Sequence, residues 1–233
     1  MKKTLFAFAL SLLLTCFALS PALADTTAVH ISLSDRGLAF SLMQQTASSY
    51  FQLNIGDFHP SVKKSPLQAF PLFYLSIATQ TPPETIWKQK GKGWGKLAKE
   101  LGLPANFHGK YMSAKNKHKK GSPAKNDDAI FEELLTIRFL HEYYGADPDL
   151  LFYWRSRGLT YEDLFIGINL GYRLQKSPVD FFSLRVAGKD WRLIAAEVKV
   201  PYSTLSKPAT APKKTLSLPK EKPPQKNKKA KKK

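Results

Sequence analysis

The side chains that could bind a metal or act as nucleophiles are few and widely spaced. The histidines are His30, His59, His108, His118 and His141. No two of them stand four residues apart, the spacing that places two imidazoles on one face of a helix. Cys16, the only cysteine, lies in an apolar segment at the N-terminus. The sequence therefore predicts no metal site, no disulfide and no bound cofactor.

Three short segments resemble catalytic or phosphate-binding motifs only in part. Residues 61–64 and 122–125 match S-x-x-K, but the K-T-G and S-D-N elements of penicillin-binding enzymes are absent. Residues 91–96 read GKGWGK, and Leu97 follows the lysine where a P-loop requires serine or threonine. These patterns identify no catalytic residue. An enzyme whose site is assembled from scattered residues stays open as an alternative.

Lysine is the residue type with the most informative distribution. The net charge of +18 is concentrated in two segments, each holding eleven lysines and one acid: residues 88–125 and residues 207–233. Such clusters bind polyanions through long-range attraction. The expected partner is an anionic envelope polymer, membrane head groups or extracellular nucleic acid. The candidate contact residues are Lys110, Lys115, Lys117, Lys119, Lys120, Lys125, Lys228, Lys229, Lys231, Lys232 and Lys233.

The second lysine cluster is a C-terminal tail, residues 207–233, with many prolines and few apolar side chains. Such a composition cannot bury enough surface to offset the entropy of ordering, so the tail is predicted to be disordered. It serves either as an electrostatic tether or as a solubilising extension without a specific partner.

The first 24 residues have the three parts of a secretory signal peptide. Lys2 and Lys3 precede an apolar run, and Ala22 and Ala24 give the A-x-A cleavage site. The apolar run is shorter than the roughly 20 residues of a membrane span. We expect an exported protein, periplasmic or extracellular, with no transmembrane segment after cleavage at Ala24.

Residues 66–206 contain an internal helical repeat. The segments beginning at residues 82, 148 and 178 each have a proline at the start of a helix, then a glycine, then an aromatic residue that opens a second helix. The glycines are Gly91, Gly158 and Gly188, and the aromatic residues are Trp94, Tyr161 and Trp191. The predicted N-caps are Thr81, Asp147 and Ser177. The fold class is therefore mainly α: a helical-repeat domain of helix-turn-helix-like hairpins.

Three further segments complete this organisation. Residues 25–65 partly alternate apolar with polar residues, which suggests a small β-meander, although a helix from Leu38 to Tyr50 fits equally well. A basic loop, residues 108–126, interrupts the repeat. The segment from residue 127 to 144 has acids at its start and apolar residues around much of its circumference, so it is predicted to be a central helix.

The first repeat also resembles a DNA-binding helix-turn-helix over residues 92–111. The positions of that motif's packing residues and turn glycine are occupied by Leu97, Ala98, Leu101, Gly102 and Leu103. The lysines that would face phosphates are Lys92, Lys96, Lys99 and Lys110. Lys199 replaces the turn glycine in the third repeat, and export separates the chain from the chromosome. Nucleic-acid binding is therefore an alternative rather than the main hypothesis.

The segments GKGWGKLA and GKDWRLIA resemble the G-x-x-W-x-x-[IL]-[AS] repeats of uncharacterised exported bacterial proteins. This resemblance implies a helical repeat and carries no activity over to any residue. Taken with the charge distribution, it favours a non-enzymatic envelope protein that contacts an anionic polymer or surface through its basic loop and tail.

Overall fold

A computed structural model describes residues 33–53, 66–108, 111–117, 127–210 and 212. The predicted signal peptide, most of the basic loop and most of the tail lie outside these ranges. The described chain is mainly helical and contains no strand. None of its helices combines the length and apolarity needed to cross a membrane. The α-helices are α1 (Leu33–Phe51), α2 (Ala69–Thr79), α3 (Pro83–Lys88), α4 (Trp94–Glu100), α5 (Tyr111–Lys117), α6 (Asp127–Tyr144), α7 (Pro148–Ser156), α8 (Tyr161–Leu174), α9 (Pro178–Val186) and α10 (Trp191–Glu197).

The suggested β-meander is wrong for residues 33–51, which form α1. The buried residues Ala39, Leu42, Met43, Ala47 and Tyr50 recur at three- and four-residue spacing, so they line one face of a helix. The alternation from Leu38 to Leu42 also satisfies a strand pattern, but a short segment cannot distinguish the two periods. The helix alternative is correct here, and residues 54–65 lie outside the described chain.

Helix α6 is central, as its sequence pattern predicts. Phe139 is fully buried, and its ring contacts four other aromatic rings of the core at centroid distances of 4.5–5.8 Å. Those rings belong to Tyr50, Phe70, Tyr143 and Phe165. Such contacts favour tilted or edge-on geometry and add to the stabilisation from burial. Aromatic side chains of α1, α2 and α8 therefore pack on one central helix.

The three repeats form helical hairpins: α3–α4, α7–α8 and α9–α10. Asp147 and Ser177 accept hydrogen bonds from the backbone amides two residues later, so both predicted N-caps are confirmed. Gly158 and Gly188 adopt φ of 96° and 93°, as expected at the end of a helix. The hairpins thus follow the predicted order of proline, helix, glycine and aromatic residue.

The first hairpin departs from the prediction at two positions. The helix begins at Pro83 rather than Pro82, because a residue before proline is held in an extended conformation, and Pro82 has ψ of 143°. Thr81 is therefore not the N-cap. The positive φ of 88° falls on Gly93, whereas Gly91 lies within the 3-10 turn Lys90–Lys92.

Candidate functional site

The exposed face of the first hairpin is basic. Lys88, Lys92, Lys96 and Lys99 are all solvent-exposed. Lys92 forms a 2.6 Å ion pair with Glu100 across the surface of α4. Lys88, Lys96 and Lys99 form no ion pair with any described residue. We call Lys88, Lys92, Lys96 and Lys99 the basic face.

Lys90 belongs to the same segment but has a packing role. Its Nζ lies 2.7 Å from Oε1 of Gln68, and 5.0 Å and 5.6 Å from the ring centroids of Trp87 and Trp94. An ammonium held over two indoles is stabilised by cation–π attraction. Lys90 therefore fixes the hairpin to the body instead of extending the basic face.

Acidic residues of α6 hold the hairpin in place. The backbone N–H of Trp94 donates to Oδ1 of Asp128 over 2.6 Å, and its indole N–H donates to Oε1 of Glu132 over 3.0 Å. Burial raises the pKa of Glu132, and these donors and the nearby Lys90 oppose that rise only in part. A Cβ at Gly93 would lie 3.0 Å from Asp128, so glycine permits this close approach. Trp94, whose side chain is fully buried, therefore anchors the hairpin that carries the basic face.

The third hairpin provides an internal comparison, because its residues correspond to the first at an offset of 97. The ion pair between Lys92 and Glu100 recurs at 2.6 Å between Lys189 and Glu197. The other basic positions differ. Lys96 and Lys99 correspond to the exposed Leu193 and Ala196, while Lys88 corresponds to the buried Arg185. The hairpin fold therefore does not require lysines at positions 96 and 99.

The lysines predicted to contact a polyanion lie mostly outside the described residues. Lys115 is described, and its Nζ forms a 2.7 Å ion pair with Oε2 of Glu133. The two side chains are only 15% and 7% exposed, so this ammonium is directed into the protein. Lys117 ends α5. Those outside the described ranges are Lys110, Lys119, Lys120, Lys125, Lys228, Lys229, Lys231, Lys232 and Lys233.

A cavity of about 590 Å³ lies between α4, the turn that follows it and the first half of α6. Most of its wall is apolar, and Lys99, His108 and Asp127 supply polar groups. Lys99 and Asp127 are exposed, so the cavity opens to solvent beside the basic face. The apolar wall is formed by Ala98, Leu103, Pro104, Ala105, Ile130, Phe131 and Leu134. This volume falls within the range of about 300–1,000 Å³ that is usual for small-molecule sites.

A polar cluster missed by the sequence analysis surrounds Glu142. Tyr50 and Tyr74 donate to its Oε2 over 2.5 and 2.6 Å, and Arg138 donates from Nε to its Oε1 over 2.8 Å. Burial opposes ionisation of Glu142, but these hydrogen bonds outweigh it and lower its pKa. Burial and the carboxylate raise the pKa of both tyrosines.

This cluster is a closed network, because Glu142 uses both oxygens on protein donors. The guanidinium of Arg138 also stacks 4.4 Å from the Tyr74 ring and donates to the carbonyl oxygen of Phe107 over 3.3 Å. The network joins α1, α2, α6 and the turn before α5. Arg138 and Glu142 stand four residues apart, which a sequence can reveal. The tyrosines come from distant segments and cannot be found in that way.

The described histidines do not converge. His108 lines the cavity, where its ring contacts Phe131 edge-on, and Nδ1 of His141 lies 2.8 Å from the carbonyl oxygen of Ala146. Over the ranges that the structure describes, no three histidine, cysteine or acidic side chains come together as metal ligands. His30, His59 and His118 lie outside those ranges.

The proposed helix-turn-helix over residues 92–111 lacks a second helix where the motif requires one. Gly102 turns the chain after α4 with φ of 76°, as predicted. Residues 105–108 then form turns, and the next helix begins only at Tyr111. Tyr111 is buried, with its ring 6.0 Å from that of His141. Residues 94–108 therefore present no recognition helix to a major groove.

Comparisons with family models, with curated proteins and with solved structures find no match to this chain. The resemblance to exported proteins with G-x-x-W repeats stays a prediction.

Proposed function

We propose that this chain is an exported, non-enzymatic binding protein that contacts an anionic polymer of the cell envelope through the basic face of its first hairpin. The observation that carries this proposal is the exposure of Lys88, Lys96 and Lys99, none of which forms an ion pair with a described residue. The predicted basic loop and tail would extend the same contact.

The basic face has a cost that the fold alone does not explain. Lys96 and Lys99 stand three residues apart on the seven-residue helix α4, while Lys92 lies in the preceding 3-10 turn and pairs with Glu100. Like charges at this spacing destabilise a helix by about 0.2–0.5 kcal/mol per pair. The third hairpin avoids that repulsion with Leu193 and Ala196. Lysines retained against this cost support a role in binding an external anion.

Each lysine is expected to contribute little to binding, so tight attachment requires several lysines together. Exposed ion pairs contribute about 0–1 kcal/mol each and are screened by salt. Several lysines on one polymer chain bind together, because the first contact raises the effective concentration of the next. A polymer with closely spaced phosphates or carboxylates therefore fits this face better than a single small anion does.

A charge-matched pair of variants tests the proposal. Lys88→Gln, Lys96→Gln and Lys99→Gln together remove three positive charges from the basic face. The control combines Arg157→Gln, Lys176→Gln and Lys199→Gln, which removes three exposed charges elsewhere. Lys199 has a positive φ, but glutamine already occupies such a conformation at Gln52, Gln80 and Gln175. Both variants have the same net charge, so any difference in their binding shows that the position of the removed charges matters.

The measurement is titration of the mature protein with soluble polyphosphate at several salt concentrations. We expect the basic-face variant to bind more weakly and to lose about one unit of log–log salt slope for each lost phosphate contact. The control should change much less. Equal weakening in both variants would show that net charge alone governs binding and would refute a specific face. Cell fractionation tests export independently.

A further inference from the structure

The first and third hairpins share a backbone framework that extends beyond their helices into the following turn. Backbone hydrogen bonds in the two hairpins pair at the offset of 97 and agree within 0.1 Å. Gly102 and Lys199 both take a positive φ at the end of the second helix. The paired bonds are Leu97 to Gly93 and Ile194 to Asp190, Leu103 to Ala98 and Val200 to Ala195, and Phe107 to Pro104 and Thr204 to Pro201.

The side chains on this shared framework differ in size. In the third hairpin the turn carries Tyr202 and Leu205, and α10 carries Arg192. Tyr202 donates from its hydroxyl to Oδ1 of Asp35 over 2.5 Å, Arg192 stacks 4.9 Å from its ring, and Leu205 is 1% exposed. The corresponding residues of the first hairpin are Ala105, His108 and Gly95. All three line the 590 Å³ cavity.

The cavity therefore lies where Ala105 and Gly95 replace the larger Tyr202 and Arg192 of the third hairpin, whereas His108 and Leu205 are similar in size. The cavity opens to solvent beside Lys99 and Asp127, so it is a surface cleft whose wall is mostly apolar. Phe131 and Leu134, which are 8% and 0% exposed, form its inner wall. Water gains few hydrogen bonds against such a surface. An apolar group fits it better.

The charged side chains at the mouth of the cavity determine which polar head group a ligand can carry. Asp127 lies in the first turn of α6, where the helix dipole stabilises its negative charge. Lys99 has no acidic partner among the described residues, and the exposed Lys96 lies one turn earlier on α4. The mouth is therefore open to an anion at the α4 side.

We infer that this cavity binds the apolar chain of a single-chain anionic amphiphile, and that Lys99 contacts its anionic head group. The inference goes beyond the proposed function, and it stands independently of the polymer contact because its ligand is a single amphiphile held by the cavity and Lys99. It makes the first hairpin a site for an acyl or alkyl phosphate-type ligand rather than for charge alone.

The decisive variant transfers one large side chain of the third hairpin to the first. Ala105→Tyr narrows the cavity with the aromatic ring that the same framework carries at Tyr202. Wild-type mature protein and variant are titrated calorimetrically with decyl phosphate below its micelle concentration. We expect the variant to lose about tenfold or more in affinity, and to bind polyphosphate like the wild type. Unchanged decyl phosphate affinity in a folded variant would overturn the inference.

Lys99→Gln provides a second variant that leaves the cavity open. It should weaken decyl phosphate but not decyl maltoside, which has the same chain and no charge. Equal loss for both ligands, or for neither, contradicts the assigned head-group contact. Vesicles carrying a two-chain anionic phospholipid distinguish the source of the ligand when wild type and Ala105→Tyr are compared. Weaker vesicle binding by Ala105→Tyr indicates a membrane lipid in the cavity, and a loss confined to decyl phosphate indicates a free amphiphile. If polyphosphate fails to bind wild type while decyl phosphate binds, only the polymer proposal fails.

Discussion

Arg185 donates from its Nε to Oδ1 of Asp163 over 2.8 Å, and both side chains are almost completely buried. The indole N–H of Trp191 donates to the same oxygen over 2.8 Å. Oδ2 of Asp163 accepts from the backbone and hydroxyl of Thr160, which closes a capping box at the start of α8. One carboxylate therefore links the second hairpin to the third.

Asp163→Ala should destabilise the protein strongly. The substitution leaves the guanidinium of Arg185 buried without its partner, which typically costs about 3–5 kcal/mol. Urea unfolding measures the change in free energy. The control is Glu197→Ala, which breaks the exposed ion pair with Lys189 in the same hairpin and should cost less than about 1 kcal/mol. Similar free-energy changes for the two substitutions would show that burial does not determine how much the Arg185–Asp163 ion pair contributes to stability.

Replacing each buried tryptophan separates packing from hydrogen bonding. Trp94→Ala and Trp191→Ala should each cost about 3–5 kcal/mol, since both side chains are fully buried. Phenylalanine keeps most of the ring but removes the N–H donor. Trp191→Phe should cost more than Trp94→Phe, because its acceptor Asp163 is wholly buried whereas Glu132 is partly exposed. Thermal melts compare the four variants, and unchanged midpoints for both alanine variants would refute the packing role.

Two glycines should respond oppositely to alanine. A Cβ at Gly167 would lie 2.3 Å from Cε1 of Phe182 and 3.1 Å from Cη2 of Trp191, so rigid rings must move. We expect Gly167→Ala to cost about 1–3 kcal/mol. Gly95 lies in α4 with nothing within 4 Å of its added Cβ. Gly95→Ala should stabilise by about 0.4–1 kcal/mol, and a loss of stability at this position would contradict the described packing.

The sequence predicts the hairpins because their signals are local. Proline, cap, glycine and aromatic residue fall within about one helix length of each other, and Asp147, Ser177, Gly158 and Gly188 act as expected. The two prolines at positions 82 and 83 shift the first helix by one residue for an equally local reason. The sequence of α1 wrongly suggests a strand, because its apolar residues fit both the period of a strand and the period of a helix.

The polar contacts that hold the fold together are not predictable in this way. Arg185 is 22 residues from Asp163, and Tyr50 is 92 residues from Glu142. No local pattern links such partners, since the packing of α1, α2, α6 and α8 brings them together. The sequence of a single hairpin does not reveal the cavity either. It is found only when Ala105 and Gly95 of the first are compared with Tyr202 and Arg192 of the third.

Glu142→Gln should lower stability at neutral pH and have little effect in acid. The folded pKa of Glu142 is lowered, so its contribution is present above the unfolded carboxyl pKa and disappears as the pH falls through the folded value. The control is Glu132→Gln. The raised pKa of Glu132 makes its charge unfavourable in the folded state, so this variant should be at least as stable as wild type at neutral pH.

Urea unfolding from neutral pH to about pH 3 measures both effects, and each variant should converge on wild type in acid. If Glu142→Gln remains equally destabilising at the lowest pH, its hydrogen bonds rather than its charge account for the loss.

The tail begins later than its composition predicts. The predicted boundary at residue 207 is wrong for residues 207–210, which pack on the helical body. The carbonyl oxygen of Lys207 accepts from the buried Asn169 over 2.9 Å, and the N–H of Ala209 donates to the Oδ1 of Asn169 over 2.8 Å. Tyr143, whose pKa burial raises to about 12, donates to the carbonyl oxygen of Thr210 over 2.9 Å.

Two truncations therefore give different results. Ending the chain after Pro212 removes ten lysines and none of these contacts, so the free energy of unfolding should not change. Ending it after Ser206 removes the hydrogen bonds of Asn169 to Lys207 and Ala209 and leaves this buried amide only the 3.5 Å contacts with Leu205 and Tyr144, which should cost about 1–3 kcal/mol. Polyphosphate titration completes the test: the first truncation should bind more weakly and with a flatter salt dependence, because exposed charges are screened over about 8 Å at physiological ionic strength. If it binds at low salt as tightly as the full mature chain, the tail contributes nothing and the basic face alone holds the polymer.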